Sequence, residues 1–164
     1  VLSTPAAPPT ALLGAWSLHR RVVDRASGLL GRVHGTLHLT ADGPGVRWVE
    51  QGTLTWPEGQ LPVTRELRIT PHRCGWLVCF ADGREFHPWL PGQLVMHQCG
   101  ADTYRGFLVV DAGWTRLRIC WDVIGPTKRQ RLFTRCRQID VYQELSPLGG
   151  RAGATNASQL EAER

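Results

Sequence analysis

The chain has 164 residues, 42% of them hydrophobic, with seven tryptophans and a formal charge of +5. This length fits one domain with a substantial core, and the apolar share excludes an intrinsically disordered chain. No apolar run reaches the length of a membrane span. The start lacks the basic and apolar regions of a signal peptide, and five cysteines without a C-x-x-C pair argue against a disulfide framework or a structural zinc site. The expected setting is therefore the cytoplasm, with reduced thiols and no metal.

Residues 1–11 are rich in Pro and Ala and are expected to be flexible, apart from one helical turn at Thr10–Leu13 with Thr10 as its cap. Strand alternation begins at Trp16, with Leu18, Arg20 and Val22 on the same face. Val33, Gly35, Leu37 and Leu39 repeat the pattern, and Val46, Trp48, Glu50, Gly52 and Leu54 follow the turn at Ala41–Gly45. After Pro57–Gln60, Val63, Arg65, Leu67 and Ile69 share one face. Trp76–Phe80 and Glu85–Leu90 are short strands, the second curtailed by Pro88.

The next stretch, His97-Gln98-Cys99-Gly100-Ala101-Asp102-Thr103-Tyr104-Arg105-Gly106, concentrates chemistry at one hairpin. A Gly-Ala-Asp turn sets Val95, His97 and Cys99 beside Asp102, Tyr104, Gly106 and Leu108. Trp114–Val123 and Lys128–Gln138 form the last hairpin, joined at Gly125-Pro126. Pairing Val123 with Lys128 predicts Trp121 opposite Gln130 and Asp122 opposite Arg129.

No long helical periodicity occurs between Trp16 and Gln138. About ten short strands separated by Gly/Pro/Asp turns predict an all-β, up-and-down antiparallel barrel over residues 12–145, because closure removes exposed edges. A two-sheet sandwich is the alternative. Residues 146–164, rich in Gly and Ala at their start, are expected to form a disordered tail.

The inward faces then carry Arg20, Glu50, Arg65, His97, Cys99, Tyr104 and Gln130, with Trp121 among them and Lys128 near a rim. Arg20 and Glu50 are natural partners on neighbouring strands. Singly, each polar residue reads as a satisfied core group; together they exceed what a dry core tolerates. A wet or ligand-filled lumen follows.

Several pieces carry a resemblance: Gly14-Ala15-Trp16 with Arg20 and Asp24, Phe80-Ala-Asp-Gly83 with Phe86-His87, His97-x-Cys99-x-x-Asp102-x-Tyr104-x-Gly106, and Trp121 with Gly125-Pro126-x-Lys128. Over about Leu12 to Gln138 the chain resembles a bacterial domain-of-unknown-function family associated with the lipocalin-like (calycin) barrels. The resemblance implies the barrel and carries no reaction. Gly14-Ala15-Trp16 is also similar to the opening of lipocalins and nitrobindins. The C-terminal histidine of nitrobindin-like haem ligation has no counterpart, since the last histidine is His97.

The function expected first is binding of a small anionic or amphipathic ligand by Arg20, Glu50, Arg65, His97, Tyr104, Trp121 and Lys128, with arginine forks on the charged head. An enzyme of lyase, isomerase or hydrolase type is the alternative, with His97 as base and Cys99 or Tyr104 as nucleophile or acid. His87, His97, Cys99 and Tyr104 are also possible haem or metal ligands, at spacings that match no standard site. Nucleic acid is a further candidate partner, through Arg116, Arg118, Arg129, Arg131, Arg135 and Arg137 around Phe133, although such a pattern more commonly marks a solvated basic face.

Overall fold

A computed structural model describes residues 7–73 and 75–139. Alternating apolar side chains produce ten strands: β1 (Gly14–Asp24), β2 (Leu30–Asp42), β3 (Gly45–Trp56), β4 (Gly59–His72), β5 (Gly75–Phe80), β6 (Glu85–Pro88), β7 (Val95–Cys99), β8 (Asp102–Val110), β9 (Arg116–Ile124) and β10 (Arg129–Gln138). All pair antiparallel, in the order β6-β5-β4-β3-β2-β1-β10-β9-β8-β7. Each strand thus lies beside its sequence neighbour, and β1 meets β10. The result is a nearly closed lipocalin-like barrel.

The seam lies between β6 and β7, the two ends of that order. Aromatic rings cross it instead of a backbone ladder: His97 on β7 packs against Phe86 on β6, centroids 5.0 Å apart, and against Phe80 at 5.7 Å. The connection between the strands is tied down by the Trp89 and Gly92 amides, which donate to the Trp76 and Leu108 carbonyls.

A 3-10 turn at Pro9–Leu12 precedes β1, with Pro8 at its cap position and no side-chain cap bond, so Thr10 does not cap it. Residues 7–12 pack on the barrel rather than trailing from it. Ala7, Pro9 and Leu12 are buried, the Trp89 indole donates to the Ala7 carbonyl at 3.0 Å, and Trp16 donates to that of Leu12 at 3.1 Å. The expected tail at 146–164 and residues 1–6 lie outside the described residues. Among the described residues no helix is long and apolar enough to cross a membrane.

The last hairpin pairs differently from the expectation. Val123 faces Gln130, Trp121 faces Leu132 and Asp122 faces Arg131, a shift of two residues. A two-residue slip keeps every side chain on its face, so the inward set survives while the ion pair changes partner. Arg131 Nε and Nη2, not Arg129, grip the Asp122 carboxylate at 2.5 and 2.7 Å.

Candidate functional site

The core is not apolar throughout. Glu50 on β3 is 5% exposed, and its Oε1 accepts from Arg20 Nη2 and Trp48 Nε1, both at 3.0 Å. The other oxygen, Oε2, lies 2.8 Å from the same Arg20 nitrogen. Arg20 Nε donates to Thr134 Oγ1 at 2.7 Å. The expected Arg20–Glu50 pair therefore forms, and it is saturated. Nearby on β10, burial pushes the Cys136 thiol up to about 12, with the Glu50 charge adding to the effect.

Arg65 on β4 is the direct cross-strand partner of Glu50, yet no carboxylate among the described residues forms an ion pair with it. Its guanidinium sits over the Phe86 ring, 5.6 Å from the centroid. Burial draws its pKa down, opposed by the charge of Glu50 and assisted by that of Arg20. With one buried carboxylate between two guanidiniums, the lumen carries an unbalanced positive charge.

Phe86 and Trp121 stack across the lumen, centroids 5.1 Å apart and 23° from parallel. They stand between two chambers. The inner one, about 40 Å³, is lined by Trp48, Leu67, Ile69, Val78 and Trp89 and reached by Arg20, Glu50 and His87. That volume holds little more than a water molecule. The outer one, about 280 Å³, is lined by Phe80, His97, Cys99, Tyr104, Val123 and Leu132 and comes to the surface at exposed Arg84 and Cys99. Arg65, Phe86 and Trp121 line both.

The structure thus brings Arg65, His97, Cys99, Tyr104 and Trp121 together and keeps Arg20 and Glu50 one chamber deeper. Lys128 lines neither chamber; it pairs with Asp102 at 2.8 Å on the rim. Trp16, fully buried, is a core side chain. His97 and Tyr104 are cross-strand partners with rings 6.2 Å apart, and no side-chain hydrogen bond joins His97, Cys99 and Tyr104 to one another. No three His, Cys, Asp or Glu side chains gather as a metal-ligand set among the described residues.

Sequence reasoning missed His87 and Phe86 as lumen residues. The β5–β6 register shifts between Val78 and Cys79, so His87 faces Val78 while Glu85 faces Cys79. The irregularity leaves Phe86 and His87, consecutive in sequence, both against Trp121, the second at 5.2 Å. Simple alternation cannot do this. Burial lowers the His87 pKa to about 4, partly offset by the Pro88 carbonyl, with the charges of Arg65 and His97 lowering it further. Pro88 was the available signal, since proline marks irregular edge positions.

The residues of the central motif interlock. A Cβ on Gly106 would overlap the Trp121 indole, and one on Gly125 would overlap the Asp102 carboxylate that holds Lys128. These two glycines let the β8–β9 sheet pack Trp121 flat and bring the last turn against Asp102.

The model of the family described as Family of unknown function (DUF6314) matches residues 12–138. The chain belongs to that family. The match spans all ten strands of this family member and stops where the barrel stops. No curated protein matches it. Among solved structures it is similar to the S-type phycobiliprotein lyase CPES from Guillardia theta, at 7% identity and a TM-score of 0.56, over 78% of this chain and 88% of that one. The likeness is one of fold.

Proposed function

We propose that the barrel binds a small anionic or amphipathic molecule in its outer chamber, with Arg65 receiving the charged end and the Phe80, Phe86 and Trp121 rings covering the apolar part. One observation carries this reading. Arg65 is a lumen guanidinium whose cross-strand carboxylate is already bound by Arg20 and Trp48. An arginine held there without an acid of its own suits an incoming carboxylate or phosphate. His97 and Tyr104 line the same chamber as Arg65 and in this reading contact the same head group, while Arg20 serves the fold. The likeness to a phycobiliprotein lyase supports the barrel fold on which this reading rests, and it brings no substrate with it.

The catalytic alternative, with His97, Cys99 and Tyr104, draws less support because no hydrogen bond couples them into a base–nucleophile pair. A cytoplasmic setting fits the reading, with Cys79, Cys99, Cys120 and Cys136 as free thiols.

The test compares octanoate with octanol by quenching of tryptophan fluorescence. Octanoate should bind more tightly, and Arg65→Met should weaken it by about 10- to 100-fold, as expected for losing a charge-assisted hydrogen bond of about 1.5–3 kcal/mol. Octanol should be indifferent to that change. Equal affinity for the acid and the alcohol, or no binding of either, overturns the proposal.

A further inference from the structure

The outside of the barrel over β2, β1, β10, β9 and β8 carries a second surface that the lumen does not use. One row of cross-strand partners runs His34, His19, Arg135, Arg118. The adjoining row runs Arg32, Arg21, Phe133, Cys120, Phe107. These residues alternate with the inward ones of their strands and so point outward. All are exposed except Cys120, which is half-buried. A groove of about 840 Å³ runs over them.

Neither row contains a carboxylate. The outward acid of the next row, Asp122, is held by both Arg131 nitrogens. Arg21 lies directly opposite Arg32, and Arg118 opposite Arg135. Like charges facing each other across a ladder oppose folding, and a surface serving only solubility intersperses both signs. Phe107 and Phe133 are 43% and 41% exposed. Both are partners of Cys120, so their rings stand on either side of it, two strand spacings or roughly 10 Å apart.

We propose that this face binds single-stranded nucleic acid, with Arg21, Arg32, Arg118 and Arg135 neutralising backbone phosphates and Phe107 and Phe133 each stacking on a base. Arginines alone would fit any polyanion; the aromatic rings set among them select one with exposed, stackable bases. A duplex keeps its bases stacked inside and leaves the rings without a role. A bilayer surface is too flat to enter the groove. The surface differs from a basic hairpin alone: β1 and β2 supply half of the arginines, and Arg131 is committed to Asp122.

Fluorescence anisotropy of the full chain with a labelled oligouridine, over a salt series, tests this. Binding should weaken steeply as salt rises, because cations held on the strand are released. Replacing Arg118 and Arg135 by Ser should reduce the log–log slope by roughly 1.4, two phosphate contacts at about 0.7 each. Phe107→Ala with Phe133→Ala should weaken binding by about 30-fold or more, and Phe107→Tyr with Phe133→Tyr should retain it. Octanoate affinity should be the same in every variant, which separates this face from the lumen and reports an intact barrel. Absence of oligouridine binding at low salt overturns the proposal. So does heparin or an anionic vesicle binding as tightly as oligouridine with no effect of the alanine pair, since the surface would then read charge only.

Discussion

Glu50 stands directly across the β3–β4 ladder from Arg65, yet both of its carboxylate oxygens are engaged by Arg20 from β1. The two arginines are therefore held differently: one neutralises the buried acid, and the other forms no ion pair with a carboxylate among the described residues.

Removing Arg20 should be a stability defect before it is a binding defect. Arg20→Ala leaves a buried carboxylate with only the Trp48 indole and should cost about 3–5 kcal/mol. Arg20→Met with Glu50→Leu removes both charges and should recover about 1–3 kcal/mol of that loss, the rest being the Trp48 and Thr134 bonds that disappear at about 1 kcal/mol each. Urea denaturation measures both. A double variant no more stable than the single one would show that the pair is not the unit.

His87 should make the fold acid-sensitive. Its pKa falls from an ordinary 6.5 to about 4 in the barrel, so between those values the unfolded chain binds the proton and the folded one does not. Stability contributed by the neutral ring is complete above pH 6.5 and declines as pH falls toward 4. Two and a half units correspond to about 3 kcal/mol at most. In His87→Leu, the part of the pH–stability curve between pH 6.5 and 4 should flatten; an unchanged slope there would assign the sensitivity to other groups.

Gly106→Ala should displace Trp121. The added methyl meets the indole and the Cys120 carbonyl, and neither yields without moving β8 from β9 or rotating the ring away from Phe86. Overpacking of this kind costs about 1–3 kcal/mol. Tryptophan emission should shift together with the melting temperature, and octanoate affinity should fall because Trp121 lines the chamber.

The thiols should react in order of access. In the native protein Cys99 is exposed at the chamber mouth and should be modified first by a disulfide reagent, while buried Cys79 and Cys136 stay silent. Cys136 is held as the thiol by a pKa of about 12, and only the thiolate attacks. Unfolding should raise the count to five, including Cys74. Early reaction of Cys136 would place that strand closer to solvent than its burial implies.

The sequence by itself determined that the chain forms about ten antiparallel strands and which residues face inward on the regular ones, because facing depends on a two-residue period that survives even a shift of register. The β9–β10 hairpin shows this: its partners move by two positions, yet Trp121, Leu132 and Thr134 stay inside. The Arg20–Glu50 pair was legible for the same reason, since a meander makes β1, β2 and β3 neighbours. Only the tertiary structure decided how those inward groups divide. Whether Arg65 or Arg20 keeps its charge free depends on side-chain reach across a curved sheet, which alternation does not encode. The β5–β6 irregularity turned Phe86 and His87 together onto Trp121 and so split the lumen. On the outside, the meeting of β1 with β10 joined Arg21 and Arg32 to Phe133. That junction pairs residues more than a hundred positions apart, and it forms only when the barrel closes.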